Sequence, residues 1–283
     1  MKQKRVLAVH DISCVGRCSL TVALPILSAA GLETSVLPTA VLSTHTGGFT
    51  GMTFRDLTQD LPEIFAHWKT LDLTFDAIYT GYLGSDKQVA LIEQLFDLFG
   101  SDQTLLVVDP VMGDDGKLYP GMPENMPQLM KKLCQKADVI VPNRTEAALM
   151  LGQAYKEEPL DRAAVEQMMQ QLCRMTKASV VLTGIGLEQG RLGAAVYDAK
   201  TKQTTYPTAK RMPGSYHGTG DVYASALTGA VLRGHSLTES ARIAAEYTQK
   251  SIEYTIPEGI ERRYGVCFEK ALPEYWELLE NEK

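Results

Sequence analysis

The sequence lacks the features that would commit it to a membrane or to a nucleic acid. None of its apolar runs approaches the ~20 residues that a membrane helix needs. The N-terminal run from Val6 to Val9 is too short for a signal peptide. Acidic residues outnumber basic ones, 34 to 28, so the net charge is −6 and no basic excess is present for a phosphate backbone. We therefore expect a cytoplasmic protein that binds neither membranes nor nucleic acids.

Cysteine is scarce and shows no paired spacing. The five cysteines are odd in number, and no two of them are separated by two residues. Zinc sites and disulfide frameworks need paired spacings, so we expect reduced thiols instead. A G-x-x-x-x-G-K-[ST] string is also missing, which excludes a Walker-type phosphate loop. The cysteines are Cys14, Cys18, Cys134, Cys173 and Cys267.

Short apolar or β-branched runs alternate with segments of helical periodicity along most of the chain. This alternation predicts repeated β-α-β units around a parallel central sheet. No internal repeat, low-complexity run or long linker interrupts it, so we predict one α/β domain over residues 1–283. After Thr183 two short segments, Gly193–Tyr197 and Thr204–Tyr206, predict an antiparallel pair. The predicted parallel strands are Arg5–Val9, Ser35–Leu42, Phe75–Tyr79, Thr104–Val108, Val139–Val141 and Val180–Thr183, and the later helices are Gly220–Arg233, Leu237–Tyr254 and Leu272–Leu279.

The strongest local signal is a glycine-rich string that opens a predicted helix, His217-Gly218-Thr219-Gly220-Asp221. The two glycines leave backbone N–H groups uncovered at the positive end of the helix, which makes an anion site. A carboxylate there would repel phosphate, so Asp221 makes sense as the group that takes a proton from an attacking hydroxyl. The alternative is a helix start that Thr219 or Asp221 merely caps.

Three further strings follow predicted strands, where open parallel sheets bind their ligands. Asn143-Arg144-Thr145-Glu146 has the spacing of a capping box, which is one reading of it. Asp109 leaves its strand abruptly because Pro110 ends the ladder, and a simple turn is the alternative to a binding role. Thr183-Gly184 ends another strand in the same manner.

The glycine-rich string, standing late in a chain of this length, resembles the signature of the ribokinase-like kinases. The resemblance implies a three-layer α/β/α fold with a mostly parallel central sheet. It also implies that the backbone of Gly218, Thr219 and Gly220 stabilises the transferring phosphoryl group and that Asp221 is the catalytic base.

The strings that follow the other strands match further positions of that superfamily. Its N-x-x-E element implies that Glu146 helps to hold Mg²⁺ through water, as suits a hard cation that keeps its waters. The run Asp109-Pro-Val-Met-Gly-Asp is similar to one that vitamin B6 and hydroxymethylpyrimidine kinases carry near the metal and phosphates, which implies a metal role for Asp109. The nucleotide contacts implied by the resemblance are Asn143, Thr183, Gly184 and Thr219.

Two segments narrow the resemblance to the pyridoxal kinases. Thr44–Phe49 resembles their N-H-T-x-x-(Y/F) segment, and Tyr79–Gly84 resembles their T-G-Y segment. Aromatic side chains suit a flat heteroaromatic ligand, although core packing is the alternative for each segment. The substrate contacts implied are Asp11, His45, Thr46, Tyr82 and Asp221.

Asp11 departs from the pattern of the pyridoxal kinases, which typically have a serine at this place. A carboxylate there could pair with a protonated pyridine nitrogen or with an amine substituent. The departure therefore suggests, as a hypothesis, some preference for pyridoxamine.

The chain is identified as a member of the vitamin B6 kinases of the ribokinase-like superfamily. This membership implies an ATP- and Mg²⁺-dependent kinase that phosphorylates the 5′-hydroxymethyl group of pyridoxal, pyridoxamine or pyridoxine, and that forms a homodimer. A requirement for a monovalent cation such as K⁺ stays open. A hydroxymethylpyrimidine kinase, which shares the fold and the Asp109 run, is the first alternative. A non-catalytic ligand-binding protein of the same fold is the second, although Asp221 and both glycines are present.

Overall fold

The computed structural model describes residues 2–281, and the strands within this range form a ten-stranded sheet and a separate hairpin. The strands are β1 Arg5–Ser13, β2 Glu33–Leu42, β3 Phe54–Asp56, β4 Ala77–Thr80, β5 Leu105–Val108, β6 Gly113–Asp114, β7 Lys117–Leu118, β8 Val139–Ile140, β9 Ser179–Ile185, β10 Arg191–Asp198, β11 Gln203–Thr205 and β12 Thr208–Lys210. The sheet order is β11-β10-β9-β8-β5-β4-β1-β2-β3, with β12 on β10 and with β6 and β7 as the hairpin.

The helices lie on both faces of this sheet. They are α1 Leu20–Ala29, α2 Leu61–Lys69, α3 Asp86–Phe99, α4 Met126–Cys134, α5 Arg144–Leu151, α6 Arg162–Thr176, α7 Thr219–Leu232, α8 Leu237–Thr255 and α9 Leu272–Glu280, with 3₁₀ turns at Ile256–Glu258, Arg262–Tyr264 and Phe268–Ala271. Among residues 2–281, none of these helices is long and apolar enough to cross a membrane.

Side chains alternate along the central strands and so divide the core into two layers. Val6 and Ala8 of β1 belong to the cluster under α1, α7, α8 and α9, whereas Leu7 and Val9 belong to the cluster under α2 to α6. This period of two is what a strand buried on both faces requires. The predicted three-layer α/β/α architecture is therefore confirmed.

The six strands from β2 through β1, β4, β5 and β8 to β9 are parallel neighbours, as predicted. The predicted antiparallel pair is also present, because Val196 of β10 faces Thr205 of β11. Strand β1 continues four residues beyond its predicted end at Val9, to Ser13. Parallel strands end at one edge of a sheet, so the residues that follow β4, β5 and β8 come together with the end of β1.

Candidate active site

The first turn of α7 presents uncovered backbone N–H groups to an open space. Gly218, the residue before the helix, has φ +75°, and a Cβ there would lie 1.9 Å from the carbonyl oxygen of Arg17. Gly220 differs, because a Cβ there would meet no heavy atom within 4 Å. Helix N-termini leave N–H groups without partners and carry partial positive charge, so this turn can bind an anion.

Asp221 lies in the same turn and is half-buried. Its Oδ2 accepts a hydrogen bond of 2.9 Å from the backbone N–H of Ser19. Burial raises the pKa of Asp221 to about 7, although the hydrogen bond from Ser19 lowers it, and the charge of Asp11 adds to the increase. A carboxyl with a pKa near the working pH suits a general base.

Asp109 and Glu146 are two further carboxyls at this edge of the sheet, and they are 7% and 3% exposed. Burial, followed by the charges of Glu146 and Asp221, raises the pKa of Asp109 well above its usual range. Burial also raises the pKa of Glu146 to about 8, although N–H groups of the backbone lower it. Within residues 2–281 no lysine or arginine forms an ion pair with either carboxyl.

Glu146 is also part of a capping box at the start of α5. The spacing of Asn143 and Glu146 in the sequence predicted this role as one of two interpretations. Its Oε2 accepts from the Asn143 N–H at 2.8 Å, and Asn143 Oδ1 accepts from the Glu146 N–H at 2.9 Å. Its Oε1 accepts from the Met112 N–H at 3.2 Å. The Glu146 carboxyl is therefore held by two backbone N–H groups, those of Asn143 and Met112, before any ligand binds.

The donor set fits a hydrated hard cation better than a cation enclosed by protein ligands. Buried carboxyls without a positive partner are either protonated or neutralised by a cation. The described part of the chain contains no group of three His, Cys, Asp or Glu side chains arranged to hold a metal directly. Mg²⁺ commonly keeps several waters and uses one or two carboxylates, so the pair Asp109 and Glu146 meets its requirements.

The residues predicted to contact the nucleotide lie in β9 and at the starts of α5 and α7. Asn143 follows β8 and its Nδ2 donates to the Gly113 carbonyl at 3.0 Å, which ties the β6–β7 hairpin to α5. Thr183 of β9 donates its N–H to the Pro142 carbonyl at 2.9 Å. Gly184 is exposed, with φ +74° and open space around it. Thr219 Oγ1 donates to the Tyr216 carbonyl at 3.1 Å, so its hydroxyl braces the turn before α7.

Asp11 lies near the end of β1, and its charge acts on Tyr82, which follows β4. Asp11 is 4% exposed and accepts a hydrogen bond from Ser13 Oγ at 3.0 Å. Burial raises the pKa of Asp11, whereas hydrogen bonds from Ser19 and Ser13 lower it. Burial and then the charge of Asp11 raise the pKa of Tyr82, so the two side chains interact electrostatically.

His45 is held by two backbone groups. Its Nδ1 accepts from the Gly47 N–H at 3.1 Å, so Nε2 carries the proton and donates to the Arg263 carbonyl at 2.5 Å. Its ring meets Phe49 edge-to-face, with 5.0 Å between centroids. Burial lowers its pKa. Both ring nitrogens are occupied, so His45 shapes the loop, and the neighbouring Thr46 is exposed.

Sequence reasoning missed Ser19 and Tyr119 as members of this region. Ser19 precedes a helix and so looks like an ordinary cap, and only the folded chain brings its N–H to Asp221. Tyr119 is half-buried, and its pKa is raised by burial and then by the charges of Glu146, Asp114 and Asp221. No motif signals either residue, because both depend on contacts between distant segments.

The profile of the phosphomethylpyrimidine kinase family matches residues 27–265. The chain belongs to this family. A Bacteroides thetaiotaomicron protein with a provisional phosphomethylpyrimidine kinase name, crystallised with pyridoxal, is 37% identical and has a TM-score of 0.91. The match covers 97% of this chain and 96% of that one.

Two vitamin B6 kinases are also similar to the present chain. The structure of pyridoxal kinase from Lactobacillus plantarum is 35% identical, with a TM-score of 0.88 and 99% coverage of both chains. The pyridoxine/pyridoxal/pyridoxamine kinase of Bordetella avium is 28% identical over 262 residues, which is 88% of this chain and 85% of that protein. The predicted resemblance to the vitamin B6 kinases is confirmed by these relatives.

Proposed function

We propose that this protein phosphorylates the 5′-hydroxymethyl group of vitamin B6 vitamers with ATP as the phosphoryl donor. The observation that carries the proposal is the position of Asp221, a carboxyl with a pKa near 7, in the same helix turn as uncovered N–H groups. A base beside an anion site is what the attack of a hydroxyl on a phosphoryl group requires. The B6 kinase relatives and the pyridoxal-bound relative support the choice of substrate.

Each residue of the α7 turn has a role in the reaction. The vitamer hydroxyl attacks the γ-phosphorus in line, its proton passes to the carboxylate of Asp221, and ADP leaves with the electrons of the broken P–O bond. The N–H groups of Gly218, Thr219 and Gly220 stabilise the phosphoryl oxygens during the transfer. Asn143, Thr183, Gly184 and Thr219 are the proposed nucleotide contacts.

Asp109 and Glu146 are the proposed residues for Mg²⁺. A cation held there would supply positive charge that offsets the negative charge of the nucleotide phosphates. The Glu146 carboxyl is held by two backbone N–H groups, and Asp109 is buried at the carboxyl end of β5, so both would be in place before a cation binds. Assays with and without K⁺ would measure any monovalent-cation requirement.

The vitamer contacts that we propose are Asp11, His45, Thr46 and Tyr82, together with the base. Asp11 supplies a charge that acts on Tyr82, and Tyr82 supplies an aromatic ring. We also propose a homodimeric, cytoplasmic enzyme that works as one domain over residues 1–283. Sedimentation of the purified protein would measure its oligomeric state.

Hydroxymethylpyrimidine phosphorylation is the second candidate, because the family name fits it. The deciding experiment is coupled ATP turnover with Mg²⁺ and, in separate reactions, pyridoxal, pyridoxine, pyridoxamine and hydroxymethylpyrimidine. We expect high turnover of at least one B6 vitamer and poor turnover of the pyrimidine. Turnover of the pyrimidine alone would keep the mechanism and overturn the substrate assignment.

A further inference from the structure

Ser19 adopts a backbone conformation that its own helix does not explain. It has φ +54° and ψ −130°, values that turns usually assign to glycine, asparagine or aspartate. It is the residue before α1, where a serine side chain ordinarily accepts a hydrogen bond from the first turn. No such hydrogen bond forms here. Unfavourable backbone conformations persist where the surrounding structure enforces them, and they concentrate at functional sites.

The unusual φ lets the two backbone groups of Ser19 serve different elements. Its carbonyl accepts from the N–H groups of Val22 and Ala23, at 3.0 and 2.9 Å, and so begins α1. Its N–H points the other way and donates to Asp221 Oδ2. A negative φ would turn the N–H away from Asp221 while α1 held the carbonyl in place.

The turn that carries Ser19 is fixed from two sides. The Arg17 carbonyl leaves no room for a side chain on Gly218, so the turn packs directly against the start of α7. The Arg17 N–H donates to the Tyr264 carbonyl at 3.2 Å, and Arg17 also excludes a side chain from Gly265. The separation between Ser19 and the α7 turn is therefore set by backbone contacts and not by flexible side chains.

The side chain of Ser19 serves a second carboxyl of the site. The Ser19 side chain does not cap α1, and its interaction with Asp11 lowers the pKa of that carboxyl. Ser19 therefore donates its N–H to the proposed base, and its side chain acts electrostatically on the proposed vitamer contact.

We propose that Ser19 is a positioning residue for phosphoryl transfer, with its N–H orienting Asp221 and its hydroxyl orienting Asp11. This inference rests on the proposed function of both carboxyls. It predicts that the Ser19 N–H affects kcat, since Asp221 acts in the chemical step. The Ser19 hydroxyl should affect KM, since Asp11 acts in vitamer binding.

Two substitutions separate these roles. Ser19→Gly removes the hydroxyl and accepts positive φ, so KM for the vitamer rises by about fivefold while kcat changes little and Tm stays equal or rises. Ser19→Thr keeps the hydroxyl but is β-branched, which disfavours positive φ, so kcat falls by about tenfold or more while KM changes little. Thr21→Ala is the matched control, because its hydroxyl bonds only to the Gly16 and Cys18 carbonyls of the same turn.

The inference fails if Ser19→Thr keeps the kcat of the wild type, or if Ser19→Gly loses as much kcat as Ser19→Thr. A second measurement covers the case in which the threonine variant does not fold. The amide proton of Ser19 should shift upfield in the NMR spectrum of Asp221→Ala, and an unchanged shift would also overturn the inference. This readout needs no turnover. If the wild type phosphorylates no vitamer, the proposed function is refuted. The NMR measurement would still show whether Ser19 donates to Asp221.

Discussion

The carbonyl oxygen of Arg17 lies so close to Gly218 that a Cβ at position 218 would be only 1.9 Å from it. The two glycines of this turn therefore differ in the room that they leave for a side chain, because the space beside Gly220 is open. Gly218→Ala should lower both Tm and kcat, since the α7 turn must move away from Arg17. Gly220→Ala should leave Tm unchanged or higher, because alanine favours helix, by up to about 1 kcal/mol. Its kcat should still fall if the phosphoryl group approaches this N–H.

Thermal unfolding and steady-state kinetics on the two alanine variants decide this point. Equal losses of Tm in both would mean that the open space beside Gly220 has no counterpart in solution. A Gly220→Ala variant with full kcat would remove that N–H from the proposed phosphoryl contacts.

Asp221 should give the enzyme an acid limb in its pH profile. Only the deprotonated carboxylate accepts a proton, and its pKa is raised to about 7, so kcat/KM should rise with pH through about 7 and then level off. Asp221→Asn should lower kcat by ~10²–10⁴ and abolish this limb. Nucleotide affinity, measured by calorimetry, should change little. Near-normal turnover in Asp221→Asn would show that another group takes the proton.

The fold was predictable because its signals are local. Strands such as β5 and β9 are continuous apolar runs bounded by polar turns, and the helices between them show their period directly. The elements that escaped prediction are β3, β12 and the β6–β7 hairpin, each only two or three residues long. Strands this short are defined by pairing with a distant partner, which no local pattern encodes.

The positions of candidate site residues could be predicted where those residues directly follow strands. They could not be predicted where the candidate site depends on contacts between segments that are distant in sequence. The positions of Asp109 and Asn143 could be predicted because the ends of parallel strands share one edge of a sheet. Ser19 was not, because its contact with Asp221 spans 202 positions of sequence. His45 was proposed by resemblance, but its hydrogen bond to the Arg263 carbonyl depends on where Arg263 lies in the fold.

Asp109 should make the cation-free protein less stable as the pH rises. Its pKa in the folded state is raised above that of the unfolded chain, so its contribution to stability is complete at pH below about 4 and is lost as the folded carboxyl ionises. Asp109→Asn removes the buried charge and should raise the free energy of unfolding at pH 8 by ~1–3 kcal/mol in EDTA. The same variant should lose Mg²⁺-dependent turnover.

Chemical denaturation at pH 5 and pH 8, with EDTA or with excess Mg²⁺, measures this effect. Mg²⁺ should stabilise the wild type more than Asp109→Asn. The metal assignment would be wrong if Mg²⁺ stabilised both proteins equally and the variant kept its activity.

Asp11 should set the preference among vitamers. A buried carboxylate beside Tyr82 favours a cationic partner, and pyridoxamine carries an amine that pyridoxal lacks. Asp11→Ser and Asp11→Asn both remove the charge, and the asparagine keeps the shape of the side chain. In each variant kcat/KM for pyridoxamine should fall by about tenfold relative to kcat/KM for pyridoxal, as expected for loss of a hydrogen bond to a charged group. An unchanged ratio in both variants would show that Asp11 does not contact the amine.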